Sequence, residues 1–352
     1  MQELSPIRVC VVGAGGYAGA ELIAALLAHP RASIVGLFAS ARREKGDQPG
    51  RIDELFPRFR GRLSMDVLPA SVEAIAALKP EAVFLATPHE ASVELAPALL
   101  ERGMVVLDLS AAYRMKNLAA YPKHYGFEHA RPEVVERAVY GVPEISRAQI
   151  ARADLIAVPG CYPTASILAI RPLVKAGAVR VGTRAIIDAT SGVSGAGRGL
   201  SQRSLFCEVS QSPYGVLSHR HNPEIDEHAG VATLFTPHLG PFDRGILATI
   251  HVELAAGFDG AKVRGILESA YAGERFVRLL PSGSHPAVKD VAGTNFCDIS
   301  VAVEESAAFG GHAILFSAID NLLKGASGQA VQCMNARFAM PEWWGLLPEE
   351  TR

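Results

Sequence analysis

The sequence predicts an α/β chain of two domains, an N-terminal one of parallel βαβ units and an α+β one on a mostly antiparallel sheet. Three observations predict it. Over the first 110 residues, apolar runs (IRVCVVG, SIVGLFAS, EAVFLAT, MVVLDLS) alternate with helical patterns (AELIAALLAH, SVELAPALLERG). Strand followed by helix, repeated, is the signature of a parallel sheet. From about residue 180 the segments become longer and β-branched (TRAIIDATSG, GVATLFTPHL, GILATIHVELAAG, FCDISVAVEES, HAILFSAID), interrupted by helical patterns at 259–273 and 319–337. Such runs suit antiparallel pairing. The third observation is length: 352 residues exceed one small core. Between the two textures, 111–150 is mixed and Pro-rich, and DLIAVP then supplies a further strand.

Composition excludes several classes. Hydrophobic residues make up 49% and charged residues 20%, the net charge is -2, and no dense Lys/Arg tract occurs. These values fit a globular protein with no call on nucleic acid or an acidic membrane surface. No run reaches the roughly 18 apolar residues of a membrane span, and MQELSPIRVCVVGAGG has neither basic flank nor cleavage site. The five cysteines are odd in number and contain no CxxC pair, which fits neither a disulfide framework nor a zinc finger. A cytoplasmic protein with reduced thiols is expected.

The stretch VVGAGGYAGAELI follows a strand and opens a helix, with Gly13, Gly15, Gly16 and Gly19 around Tyr17. Glycines let a pyrophosphate approach the backbone, and the helix start supplies N–H groups to bind it. This predicts a Rossmann-type dinucleotide domain. Where an NAD site carries an acidic residue, FASARREKG offers Ser40, Arg42 and Arg43. A hydroxyl and two guanidiniums suit a 2′-phosphate, so the expected cofactor is NADP(H).

AVPGCYPTAS places Cys161 at a strand-to-helix turn, where the helix dipole favours thiolate over thiol. Cys10, Cys297 and Cys333 lie in apolar patterns and read as core. A nucleophilic thiolate needs a proton relay, and YGVLSHRHNPEID supplies His219 and His221, which an extended segment would point to one side. H-x-H also occurs at zinc sites, but no further ligand cluster accompanies it, and no metal is expected. SGVSGAGRG has the glycine spacing of a phosphate loop, with Arg198 where the lysine and Gly199 where the Ser/Thr would stand. That disfavours a kinase and leaves a backbone nest with an arginine. Arg114, in DLSAAYR, is a second candidate anion clamp.

Taken together, GAGGYAG, DLSAAYR, PGCYPTAS, SGVSGAGR, HRHNPEI, PHLGPFDRGIL and DNLLKGASGQAVQCMN run in one order along nearly the whole chain. The set resembles the N-acetyl-γ-glutamyl-phosphate reductases of arginine biosynthesis. The resemblance implies a phosphorylating aldehyde dehydrogenase, built like glyceraldehyde-3-phosphate dehydrogenase. In that reading Cys161 forms a thioester from the γ-acyl phosphate, NADPH reduces it, and His221, or alternatively His219, is the acid/base. It further implies Asn321 at the cofactor, and Ser110, Arg114, Ser194, Arg198 and Arg244 at substrate or phosphate. An NADP-binding domain over 1–160 and 325–352, a catalytic and dimerisation domain over 161–324, and a homodimer or homotetramer follow from the same resemblance.

The chain departs from the family at Ala112 and Tyr113, where Asp-Phe is usual, and at Asn222, where threonine is usual. Aspartate-semialdehyde dehydrogenases show Asn-Cys where this chain has Gly160-Cys161. Reductases of carrier-linked aminoadipyl phosphate tend to lack the Tyr-Pro and Pro-Glu-Ile present here. Two readings from other classes are a non-catalytic NADP-binding protein and a zinc hydrolase using the histidine pair.

Overall fold

In the computed structural model, residues 5–40, 50–306 and 310–348 are described. The chain divides into two compact units, one of 1–118, 128–159 and 326–352, the other of 119–127 and 160–325. Arg42 and Arg43, the expected 2′-phosphate contacts, lie outside the described residues, whereas Ser40 is half-buried just beyond the second strand.

The first unit is built on β1 (Ile7–Val12), β2 (Ala32–Phe38), β3 (Val67–Leu68), β4 (Ala82–Leu85), β5 (Val105–Asp108), β6 (Val139–Tyr140) and β7 (Leu155–Ala157). Their order is β3-β2-β1-β4-β5-β7-β6, with every pair parallel. β4 and β5 are buried at every residue, because helices cover both faces of such a sheet. Alternate residues feed opposite sides. Val9, Val11, Phe84 and Leu107 join the core beneath helices Tyr17–Leu27 and Gly328–Arg337. Cys10, Val12, Val83, Leu85 and Val106 join the core beneath His89–Leu100. Each such aliphatic side chain contributes roughly 1.5–3 kcal/mol when fully buried.

At the end of β1, Gly13 adopts φ +88°, and a Cβ there would lie 2.1 Å from the Ala86 carbonyl oxygen. Only glycine fits that turn. Gly13 and Ala14 donate to the Phe38 carbonyl at 2.7 and 3.0 Å, fixing the turn to the end of β2. Helix Tyr17–Leu27 then starts from Gly16 without a side-chain cap, so its first turn is open to an anion.

The second unit carries β8 (Ala185–Ser191), β9 (Ser212–Pro213), β10 (Thr233–Leu239), β11 (Ile246–Glu253), β12 (Val277–Leu279), β13 (Cys297–Ser306) and β14 (Gly310–Ile319), in the order β12-β13-β14-β11-β8-β10-β9. The central pairs β13–β14, β14–β11 and β11–β8 are antiparallel, while β12–β13 and β8–β10 are parallel. The sheet is therefore mixed, with an antiparallel centre. Residues of β11 alternate between buried and half-buried, the pattern of a sheet with one face covered. Helices Cys161–Lys175 and Gly260–Tyr271 lie on the covered face.

The predicted helix at 319–337 takes a different form. β14 runs on to Ile319, residues Leu323–Ser327 form a π-turn, and the regular helix begins at Gly328. The wider turn carries Gly325 inward, and π-turns of this kind recur at functional sites. Among the described residues no helix is long and apolar enough to cross a membrane.

Candidate active site

Cys161 is the first residue of helix Cys161–Lys175, with Gly160 as its N-cap. The rest of the first turns is buried: Tyr162, Pro163, Thr164, Ala165 and Ser166 all face the interior. Apolar burial of the helix thus fixes its start, and Cys161, half-buried, is left at the wall of a cavity of about 490 Å³. That volume suits a small metabolite. Gly325 packs against the nucleophile: a Cβ there would lie 2.7 Å from Cys161 Cβ and 3.1 Å from its Cα. Gly325 N–H donates to the Asp320 carbonyl at 2.9 Å, so the close approach is held by the backbone.

His219 and His221 line the same cavity, their ring centroids 4.9 Å apart. The segment is not extended, the geometry in which the spacing would point both side chains to one side. His221 sits in helical geometry as N-cap of helix Asn222–Ala229, and the turn brings the rings together because Pro223 starts a helix immediately after. His219 is packed edge-on against Tyr162, Tyr214 and Phe235. This burial, with the nearby Arg220 charge, lowers its pKa to about 4. Its Nδ1 accepts the His221 backbone N–H at 3.2 Å, so the neutral ring carries its proton on Nε2. The Tyr162 and Tyr214 hydroxyls lie 3.0 Å apart, and Tyr162 donates to the His238 carbonyl at 3.1 Å. Burial raises the pKa of both phenols, so they remain neutral donors.

The other expected site residues are distributed as follows. Ser110 donates to Asp108 at 2.8 Å and accepts the Ala112 N–H at 3.1 Å, while Arg114 donates to the carbonyls of Val158 (2.8 Å) and Leu109 (2.6 Å). Both brace the loop after β5. Asp108 is fully buried and its pKa raised by desolvation, against which the Ser110 and Ser92 hydrogen bonds work. Arg244 makes a bidentate ion pair with buried Asp320 (2.7 and 3.1 Å). Asn321 donates to Ser194 Oγ at 3.0 Å and accepts the Gly245 N–H at 2.6 Å. Ser194 and Arg244 thereby tie the glycine-rich segment to the end of β14. Arg198 is exposed and does not line the cavity. The departures find local partners: Tyr113 donates to the Val93 carbonyl at 3.0 Å, and Asn222 to Asp226 at 3.0 Å. Among the described residues no group of three or more His, Cys, Asp or Glu side chains is placed to hold a metal ion.

Two contributions escape sequence reasoning. Segment 119–127, flanked by residues of the first unit, belongs to the second; His124 lines the cavity and the Tyr125 hydroxyl donates to the Arg220 carbonyl at 3.2 Å. Glu224, with no exposed surface, accepts the Gly160 N–H at 2.9 Å. It stands three residues after His221, so one carboxylate ties the turn before the nucleophile to the helix that begins at the histidine. The Pro-Glu-Ile of HRHNPEI was the available signal, but its partner lies 64 positions away. Glu224→Ala is expected to lower kcat about 30-fold, in line with loss of a buried charged hydrogen bond. Glu224→Gln, which keeps the acceptor oxygen, should restore most of it; equal losses in the two variants would refute the positioning role.

A dinucleotide-type unit joined to a unit with a helix-start cysteine and a histidine pair defines the semialdehyde dehydrogenase class. Residues 8–153 match the semialdehyde dehydrogenase NAD binding domain and residues 161–321 the semialdehyde dehydrogenase dimerisation domain. An aspartate semialdehyde dehydrogenase II from Vibrio cholerae shares the fold, with TM-score 0.71 at 19% identity over 95% of this chain and 99% of that one. The chain is 48% identical over 341 residues to N-acetyl-gamma-glutamyl-phosphate reductase of Yersinia pseudotuberculosis, and 46% identical to that of Escherichia coli K12. Each alignment covers 97% of this chain and 100% of the relative. The chain belongs to the N-acetyl-gamma-glutamyl-phosphate reductase family.

Proposed function

We propose that this chain reduces N-acetyl-L-glutamyl 5-phosphate with NADPH to N-acetyl-L-glutamate 5-semialdehyde and phosphate, a step of arginine biosynthesis. The observation that carries the reading is Cys161 at a buried helix start, sharing one cavity with His219 and His221, in a chain so similar to reductases of that name.

The residues of the first turn fit the cofactor. The Gly13 turn, Gly15, Gly16 and the helix start at Tyr17 and Gly19 would hold the pyrophosphate of NADP(H), with Ser40 on the side of the 2′-phosphate. When bound, the dinucleotide supplies the hydride. Cys161 Sγ attacks the acyl carbon; the S–C bond forms, the C–O bond to phosphorus breaks, and its electron pair leaves on phosphate. His221 gives its proton to the oxygen that becomes negative on reduction, and takes one back as the S–C bond breaks and the pair returns to sulfur. His219 Nε2–H, fixed by its tautomer, donates to the same oxygen.

In this reading the protein acts in the cytoplasm as a homodimer or homotetramer. The second unit's sheet has one helix-covered face, and on the other Ile186 is 44% exposed beside half-buried Leu247, Ile314 and Phe316. A second copy would cover that face. The test is NADP+ reduction with N-acetylglutamate semialdehyde, run in parallel with aspartate semialdehyde, with and without phosphate. Phosphate-dependent turnover of the first compound is expected; turnover of the second alone would overturn the substrate assignment.

A further inference from the structure

The cavity's charge is one-sided. Arg203 and Arg220 line it together with the hydroxyls of Ser201, Ser204, Ser212 and Ser218, and among the described residues no aspartate or glutamate does. Of the cations expected at substrate from sequence, Arg244 pairs with Asp320, Arg114 donates to two backbone carbonyls, and Arg198 does not line the cavity. A wall of guanidiniums and hydroxyls without a carboxylate selects an anion.

The two arginines differ in place. Arg220 stands between the histidines, and its charge is felt by both His219 and Tyr214. Tyr214 in turn feels the Cys161 charge. Arg220 therefore borders the reacting centre, where phosphate leaves. Arg203 comes from a different element, the short 3-10 turn Gln202–Ser204, held by the Ser204 N–H to the Ser201 carbonyl at 3.0 Å. The substrate of the reading above has a second anionic group, the α-carboxylate, several bonds from the acyl carbon. We infer that Arg203 takes this α-carboxylate and Arg220 the phosphoryl group, so that Arg203 sets the preference for an N-acyl amino acid with a free carboxylate. The inference rests on the proposed reaction.

The experiment uses the whole chain in the oxidative direction with NADP+ and phosphate. N-acetylglutamate semialdehyde is compared with its α-carboxamide analogue. The wild type should favour the carboxylate by roughly 30-fold in kcat/KM, the worth of one charge-assisted hydrogen-bond pair. Arg203→Gln should collapse that ratio toward one, mainly by raising KM for the carboxylate, with Arg203→Lys intermediate. Arg220→Gln should instead raise KM for phosphate. A carboxylate preference preserved in Arg203→Gln, or a loss in that variant that appears in the phosphate KM, would overturn the assignment while leaving the reaction standing. Absence of phosphate-dependent turnover by the wild type would overturn both.

Discussion

Cys161→Ser is expected to lose at least about 10⁴-fold in kcat, since removing a covalent nucleophile in a site whose groups act as a unit costs nearly the whole advantage of the site. The hydroxyl is of similar size but stays protonated at neutral pH, so the helix start that favours a thiolate has no anion to favour. Phosphate release measured in a single turnover is the readout: the wild type liberates one equivalent as the thioester forms, and the variant should liberate none. A burst retained in the serine variant would rule out attack by Cys161. The other thiols do not substitute for it. Cys10 is buried, its pKa pushed up to about 12 by desolvation, Cys297 and Cys333 are buried, and exposed Cys207 does not line the cavity.

Replacing His221 should have the next largest effect. His221→Gln is expected to lower kcat by 10²–10⁴-fold, the usual worth of a positioned general acid. His219→Gln should behave differently. Its ring is already neutral and its pKa is lowered to about 4, so it contributes no ionisation near neutrality, and an amide N–H replaces its donor; a loss of tenfold or less with an unchanged pH profile is expected. The sign for stability follows from the same shift. The folded-state value lies below the unfolded one of about 6.5, so the unfolded chain takes up the proton first as pH falls. His219 therefore weakens the fold progressively from about pH 6.5 down to about 4, and adds no further loss below. The larger loss falling on His219→Gln rather than His221→Gln would exchange the two roles.

Local patterns carried what was legible in the sequence. The glycine turn at 13, the apolar strands of the first unit and Cys161 at a helix start all depend on neighbours within a few residues, and each has its expected place in the fold. Contacts between distant positions were not legible. Glu224 reaches Gly160, and Arg244 is matched by Asp320 at 76 positions' remove; nothing in composition or spacing announces either pair. Period-two geometry was one way for the H-x-H spacing to align two side chains, but a turn followed by a proline-started helix aligns them as well. Arg203 carried no signal in the sequence; its place on the cavity wall depends on how 201–220 folds.

Among the described residues, the cavity walls draw only on 119–127 and 160–325. In the proposed reaction, bond exchange at sulfur has its nucleophile, proton donors and cations within a single compact unit, while the glycine turn proposed for the dinucleotide is written into the other stretches of the chain. In that reading the two half-reactions are written in interleaved stretches of one chain, and substitutions that retune which acyl group is captured need not disturb the grip on the reductant.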